Sequence, residues 1–374
     1  MLIIAATVPA SGTTFSLLYN FGANAGDPIH PYVPCVIAQG RDGNLYSSTT
    51  YGGAFNSGAI FKITRTGQLT VLYSFDIVHG EYPSSGLTLG RDGNFYGTTV
   101  FGGASGNGVV FKVTPSGQLT LIYQFMGGPD GAFPYAPPIE ASDGNFYGTT
   151  GQGGLGWGTI YKLTPSGTLT TLHEFNFADG SFPQGPLMQA TDGKLYGTTR
   201  EGGSSGRGTV FKITKAGTFT LTHSFDYTHG GQPEGGLVEA SDRNFYGTTA
   251  WGGRTRNGLI YRITPAGSLT VLHEFGPTDG SNPYANLLLA TDGAFYGVTE
   301  AGGSTGWGTI FRFTRQGNFS VLINFDGTNG GNPYVTLMQH TKGALYGDSE
   351  AGGAYDDGTF FKLTVGLNPF ISLL

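Results

Sequence analysis

A template of about 50 residues recurs seven times along this chain of 374 residues. In residues 92–103 the template reads D-G-N-F-Y-G-T-T-V-F-G-G. Its first position is occupied by Asp42, Asp92, Asp143, Asp192, Asp242, Asp292 and, in the seventh copy, Lys342. Its fifth position is always a tyrosine: Tyr46, Tyr96, Tyr147, Tyr196, Tyr246, Tyr296 and Tyr346. A fixed period of this length predicts a repeat architecture, because one unit is too small to bury its apolar face without stacking on its neighbours.

Each unit carries four short segments with the sequence pattern of β-strands. In residues 80–125 we predict strand A at 86–89, strand B at 94–99, strand C at 109–114 and strand D at 118–125. An Asp-Gly turn joins A to B and a Pro-Ser-Gly turn joins C to D, and both are hairpin signals. No segment shows helical periodicity. Four antiparallel strands per unit, repeated seven times, predict an all-β fold, a seven-bladed β-propeller with four antiparallel strands per blade.

The two ends of the chain are predicted to meet in the last blade. Residues 13–21 look like strand D of the later units, whereas the seventh unit has no strand D after Thr364. The N-terminal strand therefore completes the last blade, which closes the ring and removes an open sheet edge. We divide the chain into a leader or its remnant at residues 1–12, the propeller at 13–366 and a C-terminal tail at 367–374. The tail could compete for the same strand position, but Pro369 would remove a ladder hydrogen bond there.

Composition argues against several classes of function. Charged residues make up 12% of the chain, its net charge is −6 and it has no basic run, which argues against nucleic acid and anionic membranes as partners. It contains no stretch of 18 apolar residues, so no membrane-spanning helix is predicted. The single cysteine, Cys35, allows no internal disulfide and no cysteine-based metal site. We expect no metal ion, no other cofactor and a monomeric protein.

The repeat unit resembles the GloVer tandem repeat of secreted and surface proteins from environmental bacteria. Residues 92–120, D-G-N-F-Y-G-T-T-V-F-G-G-A-S-G-N-G-V-V-F-K-V-T-P-S-G-Q-L-T, are similar to that family's unit almost residue for residue, and the resemblance extends over residues 13–366. It implies export to the cell surface or the extracellular space. It brings no established reaction, and so it implies no catalytic residues. The period and the Gly-Gly pair also resemble kelch repeats, but the Tyr and Trp that follow the glycines in kelch repeats are missing here.

Side chains that repeat in every blade are interpreted as architecture, because a ligand site normally breaks the symmetry. The D-G-N turns offer oxygen atoms that suit calcium, but Asp and Asn also bond to their own backbone in tight turns, and we favour the turn. Strand C carries a cation in every unit, at Lys62, Lys112, Lys162, Lys212, Arg262, Arg312 and Lys362. These cations could form an anion-binding ring, but we favour stems laid over apolar surface with the charged ends in water.

The loops between strands B and C differ from blade to blade. They share one face with the D–A connections, because alternate connections of an antiparallel meander lie on the same side. All three tryptophans fall in these loops. Strands B and C beside Trp251 and Trp307 stay nearly constant, so we expect that the packing of these strands does not require a tryptophan. An indole beside charged groups suits a sugar, whereas the alternative is neutral drift of surface loops. The hypothesised ligand-binding residues are Tyr51, Phe101, Trp157, Arg200, Glu201, Arg207, Trp251, Arg254, Arg256, Glu300, Trp307, Glu350 and Asp357.

Three functions remain open from the sequence. The first is an exported, non-catalytic propeller that binds glycan, cell-wall material or protein through the B–C loops and D–A connections. The second is a carbohydrate-active enzyme with its site on the same face. It would be a glycoside hydrolase using Glu300 and Glu350, or a polysaccharide lyase using His229 as base and Arg207 as cation. The third is a purely structural surface module, for which we expect no convergent polar groups.

Overall fold

The computed structural model describes residues 12–31, 36–83 and 85–370, and these residues form seven four-stranded antiparallel sheets. We number the sheets as blades 1 to 7. Strands A, B, C and D are Ala38–Gln39, Leu45–Thr49, Ala59–Ile63 and Leu69–Ser74 in blade 1; Thr88–Leu89, Phe95–Thr99, Val109–Val113 and Leu119–Gln124 in blade 2; Ile139–Glu140, Phe146–Thr150, Thr159–Leu163 and Leu169–Glu174 in blade 3; Met188–Gln189, Leu195–Thr199, Thr209–Ile213 and Phe219–Ser224 in blade 4; Val238–Glu239, Phe245–Thr249, Leu259–Ile263 and Leu269–Glu274 in blade 5; Leu288–Leu289, Phe295–Thr299, Thr309–Phe313 and Phe319–Asn324 in blade 6; and Met338–Gln339, Leu345–Ser349, Thr359–Thr364 and Thr14–Asn20 in blade 7. One further small sheet pairs Pro28–Ile29 with Tyr51–Gly52. The predicted all-β, seven-bladed propeller is confirmed.

Strand A forms the inner edge of every blade. In each sheet the strands lie in the order A, B, C, D, so that A and D are the two edges. Val36, just before strand A of blade 1, forms parallel bridges with Gly86 before blade 2 and with Thr336 before blade 7. Neighbouring blades approach this closely only where they converge on the axis. Gly86 has a φ of +71°, and a Cβ there would overlap the backbone of Val36, so this approach requires glycine.

The N-terminal strand closes the ring, as predicted. Thr14–Asn20 pairs with strand C of blade 7 and takes the place that strand D occupies in the other six blades. The ring of Phe15 lies 5.3 Å from that of Phe361, and the fully buried Phe21 lies 5.5 Å from Phe61 of blade 1. The start of the tail lies elsewhere, since the Phe370 N–H donates to the Thr341 oxygen at 2.9 Å. Residues 1–11 and 371–374 lie outside the described part of the chain.

The repeated tyrosine of strand B joins neighbouring blades. The ring of Tyr96 lies 4.1 Å from that of Phe146 in blade 3, and its hydroxyl donates to Asp92 Oδ2 at 3.0 Å. Asp92 Oδ1 also accepts from the Asn94 N–H at 3.0 Å, which is the local turn bond that the D-G-N sequence predicts. Tyrosine suits this position because its ring is buried between blades while its hydroxyl reaches the polar turn. The repeated motif is therefore architecture.

A second contact between blades lies at the end of strand A. The Gln39 side chain accepts from the Thr341 N–H and donates to the Thr341 hydroxyl, both at 2.9 Å. Glu140, Gln189, Glu239 and Gln339 make the corresponding bond to the A–B turn of the preceding blade. Since leucine stands at this position in blades 2 and 6, five of the seven blade junctions carry this polar contact.

Candidate functional site

The loops between strands B and C lie against the D–A connections. Backbone bridges join Glu81 to Phe101, Ala132 to Gln152, Ser181 to Glu201, Gly231 to Trp251, Ser281 to Ala301 and Gly331 to Ala351. In blade 1 the corresponding contact is the small sheet formed by residues 28–29 and 51–52. These segments form one face of the ring, which we call the B–C face. The A–B and C–D turns form the opposite face, which we call the A–B face.

The residue before the repeated proline of each D–A connection has a left-handed backbone. It has a positive φ in all seven copies, at His30, Tyr82, Phe133, Phe182, Gln232, Asn282 and Asn332. This conformation is uncommon outside glycine, and asparagine tolerates it best of the residues found here. Asn282 and Asn332 also donate from Nδ2 to the backbone oxygens of Ala250 and Glu300, at 3.0 and 3.2 Å. The residue after the proline lies two positions in sequence before the residues that meet at the axis, such as Thr336. This backbone conformation therefore holds that residue close to the axis.

Between blades 4 and 5 that residue is Glu234, which contacts Arg200 at the end of strand B. The distance from Arg200 Nε to Glu234 Oε1 is 3.3 Å, and the Glu234 side chain is 13% exposed. Burial raises the pKa of Glu234 to about 7, against the opposing effect of the Arg200 charge. The negative charges of Glu300 and Glu201 raise this pKa further. Glu234 is therefore an acid that exchanges its proton near neutral pH.

Between blades 6 and 7 the equivalent pair is Tyr334 and Glu300. The Tyr334 hydroxyl donates to Glu300 Oε1 at 2.9 Å. Tyr284 stands at the same position one blade earlier, and its ring stacks on that of Tyr334 with centroids 5.3 Å apart and planes inclined by 27°. Two aromatic rings and a carboxylate therefore stand together here.

Tyr135 and Glu350 extend this group on either side. Burial raises the pKa of Tyr135, and the positive charge of Arg200 opposes that rise. Burial also raises the pKa of Glu350, where His30 lowers it and the charge of Glu300 raises it further. The charge of Arg200 therefore acts on Tyr135 and Glu234, around the axial opening of the B–C face. The charge of Glu300 acts on Glu234 and Glu350 in the same place. We call the group the mouth, and it consists of Tyr135, Arg200, Glu234, Tyr284, Glu300, Tyr334 and Glu350.

Replacing Glu234 with glutamine is expected to change how stability depends on pH. Because the folded-state pKa of about 7 lies above the ordinary 4.5, the neutral carboxyl stabilises the fold at low pH, and this contribution is lost between about pH 4.5 and about pH 7. Glutamine stays neutral throughout. Relative to the parent, Glu234→Gln should gain about 1–3 kcal/mol in free energy of unfolding between about pH 4.5 and about pH 8. Chemical denaturation of both proteins at the two pH values checks this prediction. It would be contradicted if the difference in free energy of unfolding between variant and parent were the same at both pH values.

Three of the residues predicted from the sequence, Arg200, Glu300 and Glu350, belong to the mouth. Glu201 lies one residue farther along the loop, where its backbone bridges to Ser181 and its charge acts on Glu234. The mouth therefore combines residues from the predicted B–C loops with residues from the D–A connections.

Two of the tryptophans pack on the D–A connection of their own blade. The Trp157 ring lies 4.8 Å from that of Phe177, and the Trp307 indole covers Gly331, where a Cβ would overlap the ring. Arg207 has the same position in blade 4, and its guanidinium lies 4.8 Å from the centre of the Tyr227 ring. Trp157 and Trp307 therefore contact the D–A connection, and each remains more than one third exposed.

The other predicted residues are distributed over the B–C face. Tyr51 and Phe101 belong to a row of aromatic rings that runs from His30 through Tyr51, Tyr82 and Phe101 to Phe133, with successive centroids 6.2, 5.0, 5.6 and 5.1 Å apart. Trp251 is 38% exposed. Arg254 Nε lies 3.1 Å from Glu274, and Asp357 lies 3.4 Å from His30 Nε2. Arg256 is exposed, at a loop position with a φ of 63°.

The two residues of the hypothetical lyase site each have another partner. His229 Nδ1 lies 2.8 Å from Asp226 in its own turn, while Arg207 lies over Tyr227. Within the described residues, no group of three or more His, Cys, Asp or Glu side chains could hold a metal ion. In the same part of the chain, no helix has the length and apolar character needed to cross a membrane.

Sequence reasoning missed Glu234, Tyr135, Tyr284 and Tyr334. A signal for them exists, because the residue after the repeated proline varies among Tyr135, Gln184, Glu234, Tyr284 and Tyr334 while the proline itself stays constant. Its direction toward the axis depends on the left-handed residue before the proline, and the one-letter pattern does not show that conformation.

The fold and this loop face define a seven-bladed β-propeller with a polar and aromatic mouth at its axis. The chain belongs to the Gloeobacter/Verrucomicrobia repeat family, whose profile matches residues 6–154, 89–288 and 187–373. The resemblance of the repeat unit is thereby confirmed. A search of curated proteins finds no match to the chain.

Solved structures share the fold at low sequence identity. Virginiamycin B lyase from Staphylococcus aureus superposes with a TM-score of 0.64 at 18% identity, over 94% of this chain and 99% of that one. A protein of unknown function from Dyadobacter fermentans superposes with a TM-score of 0.52 at 10% identity, over 95% of this chain and 99% of that one. At such identities the similarity concerns the propeller architecture alone.

Proposed function

We propose that this protein is an exported, non-catalytic propeller that binds a glycan at the mouth of its B–C face. The observation that carries the proposal is the convergence of Tyr284, Tyr334 and Glu300 with the Arg200–Glu234 pair in one partly buried group. Export rests on the resemblance to the secreted and surface proteins of the repeat family. A purely structural module gives no reason for these side chains to converge.

The chemistry of the mouth matches that of a sugar. A pyranose has apolar C–H faces that pack on aromatic rings, and hydroxyls around its rim that donate to carboxylates and accept from arginine. Tyr284 and Tyr334 offer the rings, Glu300 offers an acceptor and Arg200 offers donors. Partial burial of these groups strengthens such hydrogen bonds, because the local dielectric constant is lower than that of water.

The aromatic row from His30 to Phe133 offers a path for a longer chain of sugars. It follows the B–C face along blades 1 and 2, and its last ring, Phe133, lies two residues before Tyr135 of the mouth. Successive rings about 5–6 Å apart match the spacing at which aromatic surfaces pack together. A polysaccharide whose terminal sugar occupies the mouth would thus find further apolar contacts along this row.

Screening immobilised bacterial and plant polysaccharides with the intact chain tests the proposal. We expect saturable binding to at least one polysaccharide, with no release of reducing ends or unsaturated products from it. Uniform background binding across the whole panel would contradict a glycan-binding function. Because the proposed contacts are ring packing and hydrogen bonds and not long-range charge attraction, the binding should also persist at about 0.5 M salt, where the Debye length is only a few ångströms.

One observation favours a carbohydrate-active enzyme as the second candidate. Glu234, with its pKa raised to about 7, has the proton affinity of a general acid or base at neutral pH. A glycoside hydrolase also needs a second carboxylate, and Glu300 is near enough to raise the pKa of Glu234. This candidate would be established instead if the chain turns over a bound polysaccharide and the rate falls at least 100-fold in Glu234→Gln. Turnover that persists in the variant would exclude Glu234 from that role.

A further inference from the structure

The A–B turn of blade 7 breaks the repeat with a change of charge. In blade 6, Asp292 at the first template position accepts from Arg312 of strand C at 2.9 Å, and in blade 3 Asp143 lies 3.8 Å from Lys162. In blade 7 this position is Lys342, while strand C still carries Lys362 opposite Tyr346. Two cations therefore stand where the other blades place a carboxylate and a cation.

Blade 1 adds a third cation to the same place. Its C–D turn carries Arg65, where blades 2, 3 and 5 have proline. Between the two blades lies His340, whose pKa is lowered by burial, against the opposing effect of its hydrogen bond to the Gly43 oxygen. The positive charges of Arg65, Lys342 and Lys362 lower this pKa further. None of these three cations forms an ion pair with a carboxylate of the described residues. Within the described residues, these three cations are therefore available to a bound anion without breaking an ion pair.

Two of these cations, Arg65 and Lys342, line an open hollow on the A–B face. Its volume is about 410 Å³, and its lining includes Arg41, Arg65, Lys342 and the hydroxyl groups of Thr64 and Thr66. It shares Arg41 and two neighbouring residues with a second cavity of about 560 Å³. That second cavity reaches along the inner strands of blades 7, 1 and 2 and is more apolar, with leucine, isoleucine and methionine in its lining.

Asp42 is the one carboxylate in the lining of the hollow, and it already has partners. Its Oδ2 accepts from Asn44 at 2.7 Å and from the Tyr46 hydroxyl at 2.8 Å. These bonds lower its pKa although burial opposes them, so it remains charged at neutral pH. An anion in the hollow would therefore bind to Arg65 and Lys342, which no carboxylate of the described residues pairs with.

We propose that this hollow, at the junction of blades 7 and 1 on the A–B face, binds a phosphate group. A doubly charged tetrahedral oxyanion matches several converging cations and hydroxyl donors better than a single carboxylate does. The adjoining cavity has room for an organic moiety attached to the phosphate, such as a sugar. This site lies on the opposite face from the mouth, and the proposal does not depend on glycan binding there.

Titration calorimetry of the intact chain with inorganic phosphate, at constant ionic strength, tests the proposal. Lys342→Asp restores the residue that the other six blades carry, so it should fold normally and weaken phosphate binding at least tenfold. Arg65→Pro restores the turn of blades 2, 3 and 5 and should weaken it at least fivefold. Lys215→Ala removes a cation from the corresponding turn of blade 4 and should leave the affinity within twofold of the parent.

A parallel titration with glucose 6-phosphate and with glucose distinguishes the source of the phosphate. If glucose 6-phosphate binds at least tenfold more tightly than inorganic phosphate and glucose does not bind, the ligand is a phosphorylated sugar that extends into the second cavity. Equal affinities for the two phosphates support a site for free phosphate. The absence of binding by either phosphate would overturn the proposal. So would undiminished phosphate affinity in folded Lys342→Asp and Arg65→Pro.

Discussion

Deletion of residues 1–21 is expected to abolish cooperative folding of the propeller. The deletion removes strand D of blade 7 and exposes the edge of Thr359–Thr364. It also removes Phe21, which is fully buried, and Phe15, which packs against Phe325 and Phe361. Loss of one buried phenylalanine costs about 3–5 kcal/mol, so the combined loss is comparable with the total stability of about 5–15 kcal/mol of a folded protein. Circular dichroism during heating should show no sharp transition.

Two further chains separate ring closure from simple truncation. Deleting residues 368–374 removes Phe370 and its bond to Thr341 but none of the described strands, and should lower the Tm by only a few degrees. A permuted chain that starts at Gly22 and carries residues 14–21 after Thr364, through a turn copied from residues 115–117, should recover a cooperative transition. It supplies strand D from the C-terminal side, as the other six blades do. An unchanged Tm after deletion of residues 1–21 would rule out closure by this strand.

Replacing Tyr334 with alanine is expected to weaken binding of the polysaccharide identified by screening by about 1–3 kcal/mol, or roughly 5- to 150-fold in Kd. The substitution removes an aromatic ring that stacks on Tyr284, and it leaves Glu300 without the hydroxyl that bonds to it. Tyr284→Ala should have a similar effect. The two losses should not add, because the rings touch each other and act as one surface.

Three variants separate the contributions of ring, hydroxyl and loop. Tyr334→Phe keeps the ring and loses the hydroxyl that bonds to Glu300, so it should retain most of the affinity. Tyr355→Ala makes the same chemical change at a side chain 55% exposed in the B–C loop of blade 7, outside the mouth, and should stay within twofold of the parent. Trp251→Ala tests whether the outer loops take part. If Tyr334→Ala and Tyr284→Ala bind as tightly as the parent, with an unchanged Tm, the mouth is not the binding site.

Much of the fold could be predicted because the same strand and turn pattern occurs seven times in the sequence. The predicted strand B at residues 94–99 is Phe95–Thr99 in the structure, and the predicted strand D at 118–125 is Leu119–Gln124. Strand A was predicted too long, at 86–89 instead of Thr88–Leu89. The reason is that residues 86 and 87 approach neighbouring blades at the axis and do not pair with their own strand B.

Less of the candidate site could be predicted, because it depends on which way loop residues point. Arg200, Glu300 and Glu350 follow strand B directly and were visible as charges at one repeat position. Glu234 was not, since its partner Arg200 is 34 residues away in sequence. Trp307 has a contact that the sequence did not predict, because its indole packs on Gly331 of the D–A connection. Variation between repeats therefore marks packing between a loop and its neighbour as well as recognition.

A crystal structure of the chain with an oligosaccharide from the tightest-binding polysaccharide tests the central claim most directly. The account predicts a sugar ring at the mouth, packed on Tyr284 or Tyr334, with its hydroxyls bonded to Glu300, Arg200 or Glu234. An oligosaccharide bound on the A–B face, or only on the outer B–C loops away from these five residues, would contradict it.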